Sequence, residues 1–338
     1  MTQHITSAAA LPDDAAAFSS ATEPFRRELR IHCYRMLGSF QDSEDLVQET
    51  LLRAWRNRSN FEGRSSIRTW LYRIATNACL DALQRRPKRV LPQDIAPPAD
   101  PTVIPAMPSQ EIPWLEPFPD RYLEADAVAG PDAEVVQKET IELAFIAAVQ
   151  HLPARQRAAL VLRDVLGWSA SDSAELLEIN VPALNSALQR ARSTMRKHLP
   201  ERRTEWSAPQ DTTEPEQSLL LRFMEAHERA DVPAIASLLR DDVRMVMPPI
   251  AVWFDGRDAV TTAMGVGFGT MVGHELRTIA TAANHQPAFV MYTREPGEAA
   301  FNALVLTVVK VENGKVVDMI GFDPKTTLPA FGLPLTLE

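Results

Sequence analysis

Three groups of side chains in this 338-residue chain have the types and spacing for specific chemistry. Trp70, Arg73, Asn77, Asp81 and Gln84 recur every three or four residues. On a helix they share one face, and an aromatic, a guanidinium and amides so placed can stack on unpaired bases and hydrogen-bond to their edges. Asn185, Gln189, Arg192 and Arg196 form a second face, flanked by Ser186, Arg190 and Lys197, with no acid between Asn180 and Glu201. Arginines supply phosphate and guanine contacts and amides supply adenine contacts, so this face suits the DNA major groove. The third group, Asp45, Gln48, Glu49, Leu52 and Arg56, mixes both charges around a leucine and suits a large protein partner. Each reading competes with a plain solvated helix face, the ordinary fate of a charged stripe.

The surrounding residues supply the elements that hold these groups. Phe25, Leu29, Cys33 and Met36 make one apolar helical stripe. Gly38-Ser39 interrupts it, and Asp42 or Ser43 can cap the next helix, whose buried side is Val47, Leu51 and Ala54. Asn60 to Ser66 reads as a loop. A helix from Thr69 to about Gln84 follows, buried through Leu71, Ala75, Ala78 and Ala82. Pro87 ends it beside the basic run Arg85, Arg86, Lys88 and Arg89. Further on, Ala170–Leu177 and Val181 to about His198 flank the short turn Glu178-Ile179-Asn180, the spacing of a helix-turn-helix. Ser169 is placed to cap the first of these helices. Pro182 is tolerable in the first turn of the second.

Charge is segregated along the chain. The net −9 conceals +6 over residues 22–90, −9 over 91–150, +3 over 151–206 and −7 over 207–338. Two basic blocks can neutralise phosphate while the acidic stretches repel it. Ten prolines between Pro92 and Pro131 exclude a long helix there and mark an acidic linker over 91–138, with Trp114, Leu115 and Phe118 among its sparse apolar anchors. The chain has no run of about 18 apolar residues and no positive-then-apolar N-terminus, so a cytoplasmic location is expected. Cys33 and Cys79 both fall on apolar stripes and read as core residues, not as metal or redox ligands.

After residue 215 the period changes. Helical spacing at Leu219, Phe223 and His227 gives way to alternating stretches at 243–247, 288–292, 303–309 and 316–320. Helices followed by an antiparallel meander predict an α+β cone. Its candidate acid/base groups are Asp255, Asp258, His274, His285 and Tyr292. Asp255-Gly256 reads equally as turn chemistry, Asp258 as a helix cap and the histidines as surface residues. No catalytic residue, metal ligand or cofactor is assigned.

Asp45-x-x-Gln48-Glu49, Phe61-x-Gly63 and Thr69-Trp70-Leu71-x-x-Ile74-Ala75-x-Asn77 resemble region 2 of the extracytoplasmic-function group of RNA polymerase sigma factors. The helix-turn-helix block resembles their region 4, with Glu178 where a turn glycine is common and Asn185-Ser186-Ala187 in place of the usual Lys-Ser-Arg. The order of elements after residue 215 and the piece Trp253 to Val260 resemble a SnoaL-like domain of the nuclear-transport-factor-2-like superfamily. The resemblance implies a multidomain chain: two all-α domains that bind polymerase and DNA, then a cone-shaped α+β domain. The expected order is a disordered 1–21, region 2 over 22–90, the linker 91–138, region 4 over 139–206, a second linker 207–215 and the SnoaL-like domain 216–338.

By the same resemblance, Asp45, Gln48, Glu49, Leu52 and Arg56 would dock on the β′ clamp helices of the polymerase core, and region 4 would meet the β flap. Phe61, Gly63, Arg64, Ser65, Arg73, Asn77, Asp81, Arg85 and Arg86 would hold the melted −10 strand. Trp70 would act as a wedge at the edge of the opening duplex or would pack. Asn185, Ser186, Gln189, Arg190, Arg192 and Arg196 would read the −35 element. The linker would thread toward the polymerase active site. In the tail, Trp253, Asp255, Arg257 and Asp258 are pocket or interface candidates, and the pocket is a place for a small ligand. The expected role is a sigma factor whose activity the tail modulates; a membrane partner is not implied, and an anti-sigma factor is left unspecified. The alternative is a stand-alone helix-turn-helix regulator with a ligand-sensing or weakly enzymatic tail, which leaves Asp45–Glu49 without a task.

Overall fold

The computed structural model describes residues 11–61, 63, 65–106, 111–123, 141–199 and 214–338. The chain divides into two compact units. One joins residues up to 88 with 125–208, and the other joins 89–124 with 209–338. Neither unit is continuous in sequence.

The first unit is helical. Its elements are α1 (Ala15–Thr22), α2 (Arg26–Leu37), α3 (Phe40–Arg56), α4 (Ile67–Arg85), α5 (Leu143–Gln150), α6 (Ala154–Leu160), α7 (Ala170–Leu176) and α8 (Val181–His198). Helix α1 lies where disorder was expected over 1–21. Asp14 accepts a hydrogen bond from the Ala17 N–H at 2.8 Å, and Phe18 is buried with its edge against Trp55. A cap and one aromatic anchor suffice to hold two helical turns against α3. Helix α3 is capped not by Asp42 or Ser43 but by Ser39, whose hydroxyl accepts from the Asp42 N–H at 3.1 Å.

The two basic blocks pack into a single core. Leu29, Cys33, Met36, Val47 and Leu71 from the first block cluster with Ala158, Leu162, Leu176 and Leu184 from the second. Cys33 and Cys79 are buried free thiols there, and burial first, then the neighbouring Cys33, pushes the Cys79 thiol well up. The blocks are also joined by a buried cation. Arg157 donates to Gln150 Oε1 at 2.7 Å, to the carbonyls of Gln150 and Leu152 at 3.1 and 3.3 Å, and to the Met36 carbonyl at the C-terminal end of α2. Burial pushes its guanidinium down to about 10, so the charge persists at neutral pH.

The second unit carries α9 (Glu214–Glu228), α10 (Val232–Leu238), α11 (Arg257–Gly269) and α12 (Pro324–Phe331) with β1 (Leu239–Val246), β2 (Trp253–Asp255), β3 (Glu275–Ala283), β4 (Gln286–Arg294), β5 (Phe301–Glu312), β6 (Lys315–Phe322) and β7 (Thr336–Leu337). The sheet order is β2-β1-β6-β5-β4-β3, with β7 beside β5. Strands β3 to β6 form the expected meander, but β1 pairs parallel with β6, with Met245 opposite Met319. A meander cannot supply a parallel neighbour, because that requires a long crossover. Here the chain between β1 and β6 includes α11 and strands β2 to β5.

The Pro-rich linker belongs to this unit. Val90 pairs with Trp114, Arg89 binds Glu116 at 2.7 Å, and the Phe118 N–H donates to Asn284 Oδ1 at 2.7 Å. Leu115 and Phe118 are buried. The aromatic anchors thus lie on the chain's own sheet domain. Residues 107–110 and 124–138 of the expected linker, and most of 207–215, fall outside the described residues.

Buried histidines make the two units respond differently to acid. Burial, with Arg35 and Arg68 nearby, pushes His32 of the helical unit from 6.5 to about 3. Burial likewise pushes His227 to about 4, while it lifts Asp318 from 3.8 to about 6. A histidine held neutral contributes fully above the unfolded value of 6.5, and that contribution is lost as pH falls below it. Asp318 acts in the opposite sense, because between pH 6 and 4 the folded form holds the proton more tightly. Going from pH 7.5 to 5 is expected to remove about 2 kcal/mol from the helical unit and under about 1 kcal/mol from the mixed unit. Hydrogen exchange in α4 and in β5 measures the two separately, and equal losses would contradict this assignment.

Candidate nucleic-acid interface

Helix α3 separates its two faces as the spacing predicts. Val47, Thr50 and Ala54 are buried, while Asp45, Gln48, Leu52 and Arg56 are exposed. Leu52 is 50% exposed, an uncovered apolar group in a polar setting. Glu49, on the edge of this face, binds Arg53 at 2.7 Å, and this bond is the first cause raising the Arg53 pKa. The face mixes both charges around an open leucine, a composition suited to a protein surface.

Helix α4 begins at a Ser66 cap, whose hydroxyl accepts from the Thr69 N–H at 3.1 Å. Trp70 packs against Phe61, ring centroids 5.2 Å apart, and both lean on the core. Trp70 is therefore a packing residue in this structure. Its neighbour on the face, Arg73, binds Glu175 of α7 at 2.6 Å. Asp81 lies 3.6 Å from Arg53, and Arg86 is paired with Asp42. Asn77 is partly exposed and Arg85 is exposed. Gly63 has φ 68° and supports the bend of the loop, while Arg64 lies outside the described residues. The expected −10 face thus exists as a surface, but three of its charged members are engaged within the unit.

The helix-turn-helix is formed by α7 and α8. Ser169 caps α7 through the Asp172 N–H at 3.0 Å, and Asn180 caps α8 through the Ala183 N–H at 2.8 Å. Glu178 sits in the turn at φ 55°, the left-handed conformation that a glycine would adopt with less strain. A non-glycine residue there costs on the order of 1 kcal/mol. Burial of Ala174, Leu177 and Leu184 around the turn keeps it in place. On α8, Leu184, Leu188, Ala191 and Met195 are buried, and Asn185, Ser186, Gln189, Arg190 and Arg196 are exposed. Arg192 is exposed too, yet it makes a two-pronged bond to Asp164 at 2.8 and 2.7 Å. That bond is the first cause raising its pKa. Arg192 ties α8 to the turn Val161–Val165 that continues α6, so it is the most firmly engaged cation of this face.

In the mixed unit the four tail candidates are not among the residues that line the cavity around His227. Trp253 donates from Nε1 to the Ala96 carbonyl at 2.8 Å and accepts from the Ala99 N–H at 2.9 Å, so it holds the linker. Asp255 lies 3.7 Å from Arg244, and Arg257 binds Asp241 at 2.7 Å. Asp258 is not the cap of α11; Gly256 occupies that position at φ 87°, and Asp258 lies in the first turn. His274 is bonded to Thr293, and the Tyr292 hydroxyl donates to the Pro334 carbonyl. A cavity of this unit is instead lined by His227, which helical spacing from Phe223 placed on a helix without marking it as a pocket residue.

The geometry defines a class first: a helical body with a helix-turn-helix and a separate helix that exposes a leucine among charges, together with an α+β domain. Three family models match it: Sigma-70 region 2 over residues 22–89, Sigma-70 region 4 over 142–195 and a SnoaL-like domain over 220–319. The chain belongs to the extracytoplasmic-function RNA polymerase sigma factors. It is 43% identical over 321 residues to the sigma factor SigG of Mycobacterium tuberculosis, covering 95% of this chain and 85% of that one. Over 188 residues it is 29% identical to SigW of Bacillus subtilis, 55% of this chain and 90% of that one. The solved structure of the extracytoplasmic function sigma factor SigJ of Mycobacterium tuberculosis shares the fold, with TM-score 0.57 and 22% identity over 94% of this chain and 99% of that chain. Its role is that of a sigma factor, not of a stand-alone helix-turn-helix regulator.

Proposed function

We propose that this chain directs RNA polymerase core to its promoters through three surfaces. The exposed side of α3, with Asp45, Gln48, Glu49, Leu52 and Arg56, meets the β′ clamp helices, and region 4 meets the β flap. Phe61, Gly63, Ser65, Asn77 and Arg85 hold the melted −10 strand, joined by Arg73, Asp81 and Arg86 once their present partners are exchanged for DNA. The exposed side of α8 reads the −35 element. The observation that carries the reading is α8 itself: capped, acid-free, and presenting Asn185, Gln189, Arg190 and Arg196 to solvent. The protein works in the cytoplasm, where polymerase and promoters are. The tail modulates access to these surfaces and performs no catalysis of its own.

Run-off transcription on a mixed promoter library identifies a target sequence, and binding to that sequence then tests the assignment. Replacing Arg190 and Arg196 together by Ala removes two phosphate-reaching cations without breaking the Arg192–Asp164 brace. The expected result is weaker binding and a salt dependence shallower by about 2 in log–log slope. Unchanged affinity at two salt concentrations would remove α8 from the DNA interface.

A further inference from the structure

The mixed unit encloses a cavity of about 560 Å³, within the range of small-molecule sites. Six of the chain's eleven methionines, Met245, Met247, Met264, Met271, Met291 and Met319, line it. Methionine walls adapt to the outline of an apolar guest. The deep polar group is His227. Its Nδ1 lies 2.7 Å from the Phe223 carbonyl, so Nδ1 carries the proton and donates it. The ring is held by Phe223, Phe289 and Phe268, with centroids 4.4, 5.2 and 6.1 Å away. Neutral at physiological pH, this imidazole keeps an acceptor lone pair on Nε2 at the cavity wall.

Two further features describe the space. Gly267 of α11 lines the cavity, and a Cβ built there would meet nothing within 4 Å. A helix interior disfavours glycine relative to alanine, so this position loses helix stability and leaves open volume. At the mouth lie Val103, Ile104 and Pro105 of the linker. Val103 and Ile104 are 58% and 64% exposed, uncovered apolar groups that an occupant of the mouth would bury. Asp323 and Lys325 also line the site and balance each other in charge.

We propose that this cavity is a binding site for a neutral, largely apolar small molecule carrying one hydrogen-bond donor. The donor is accepted by His227 Nε2, the hydrocarbon body fills the methionine-lined space beside Gly267, and the linker segment Val103–Pro105 closes over it. Occupancy therefore stabilises the linker on the tail, on the same stretch of chain that joins the two DNA-reading blocks. This proposal is independent of the promoter assignment, and its failure would leave that assignment untouched.

The test uses the full chain and calorimetric titration with 2-naphthol, a neutral aromatic with a single hydroxyl. One site per chain is expected. The methyl ether, 2-methoxynaphthalene, lacks the donor and should bind about tenfold more weakly. Gly267→Leu fills the space on a better helix former, so its binding should vanish while its thermal transition is not lowered. Ile104→Asp should weaken binding several-fold without touching the interior. His227→Phe should bring 2-naphthol and its ether to similar affinities. Absence of binding by the unmodified chain, equal binding by Gly267→Leu, or tighter binding of 2-naphthoate than of 2-naphthol would overturn the proposal.

Discussion

Leu52→Glu is expected to weaken association with core RNA polymerase by about 30-fold or more, the loss of roughly 2 kcal/mol typical of a central anchor. Leu52 is the apolar centre of the exposed α3 face and is bordered by Gln48 and Arg56, and in the proposed reading it is buried against the polymerase. A glutamate there would carry an uncompensated charge into the interface. Because the side chain points to solvent in the free protein, the substitution should leave the fold intact, with unfolding shifted by less than about 0.5 kcal/mol. Binding of labelled core, with thermal unfolding as the control, separates the two effects. Wild-type affinity in the variant would take α3 out of the polymerase interface and leave its polar stripe as a solvated face.

Arg157→Ala is expected to destabilise the helical unit by about 3 kcal/mol. The side chain is only 3% exposed and makes its hydrogen bonds to carbonyls and an amide, with no carboxylate among the bonds described. Removing it leaves the carbonyls of Met36, Gln150 and Leu152 and the Gln150 amide oxygen short of a donor, at about 1 kcal/mol each where water does not reach them, and it opens a cavity. Met36 belongs to the first block and Gln150 and Leu152 to the second, so the loss should fall on their junction. Limited proteolysis should then release 141–199 from 11–88 earlier than in the wild type. Arg157→Lys should recover part of the stability, since an ammonium can satisfy some of the same oxygens. A change under about 1 kcal/mol would mean that water replaces the guanidinium and that the junction rests on the apolar core alone.

Much of the local structure was legible because it depends on neighbours in sequence. The buried stripe of α3, the cap at Ser169, the helix-turn-helix spacing and the four main strands all follow from short-range residue types and from three-to-four-residue or two-residue periods. The misses have a common cause. Asp258 looks like a cap until Gly256, at positive φ, starts the helix two residues earlier. Residues 1–21 look featureless until Phe18 meets Trp55, which is 37 positions away. His227 reads as one more residue at helical spacing. Only the approach of α11, β4 and the linker makes it the polar floor of a cavity.

The sequence by itself determined the class of protein through the motif residues that resemble sigma regions 2 and 4, and the acid-free face of α8, the charge segregation and the turn chemistry beside them are local properties that survive any packing. It determined which side of α3 and of α8 would face outward. The tertiary structure alone decided what those faces currently touch. Arg73 bound to Glu175 and Arg192 bound to Asp164 are ion pairs between residues 102 and 28 positions apart, respectively. It also decided that the two basic blocks share one core and that the linker lies on the sheet domain. Those choices depend on shape and burial between distant segments, and no period in the chain encodes them.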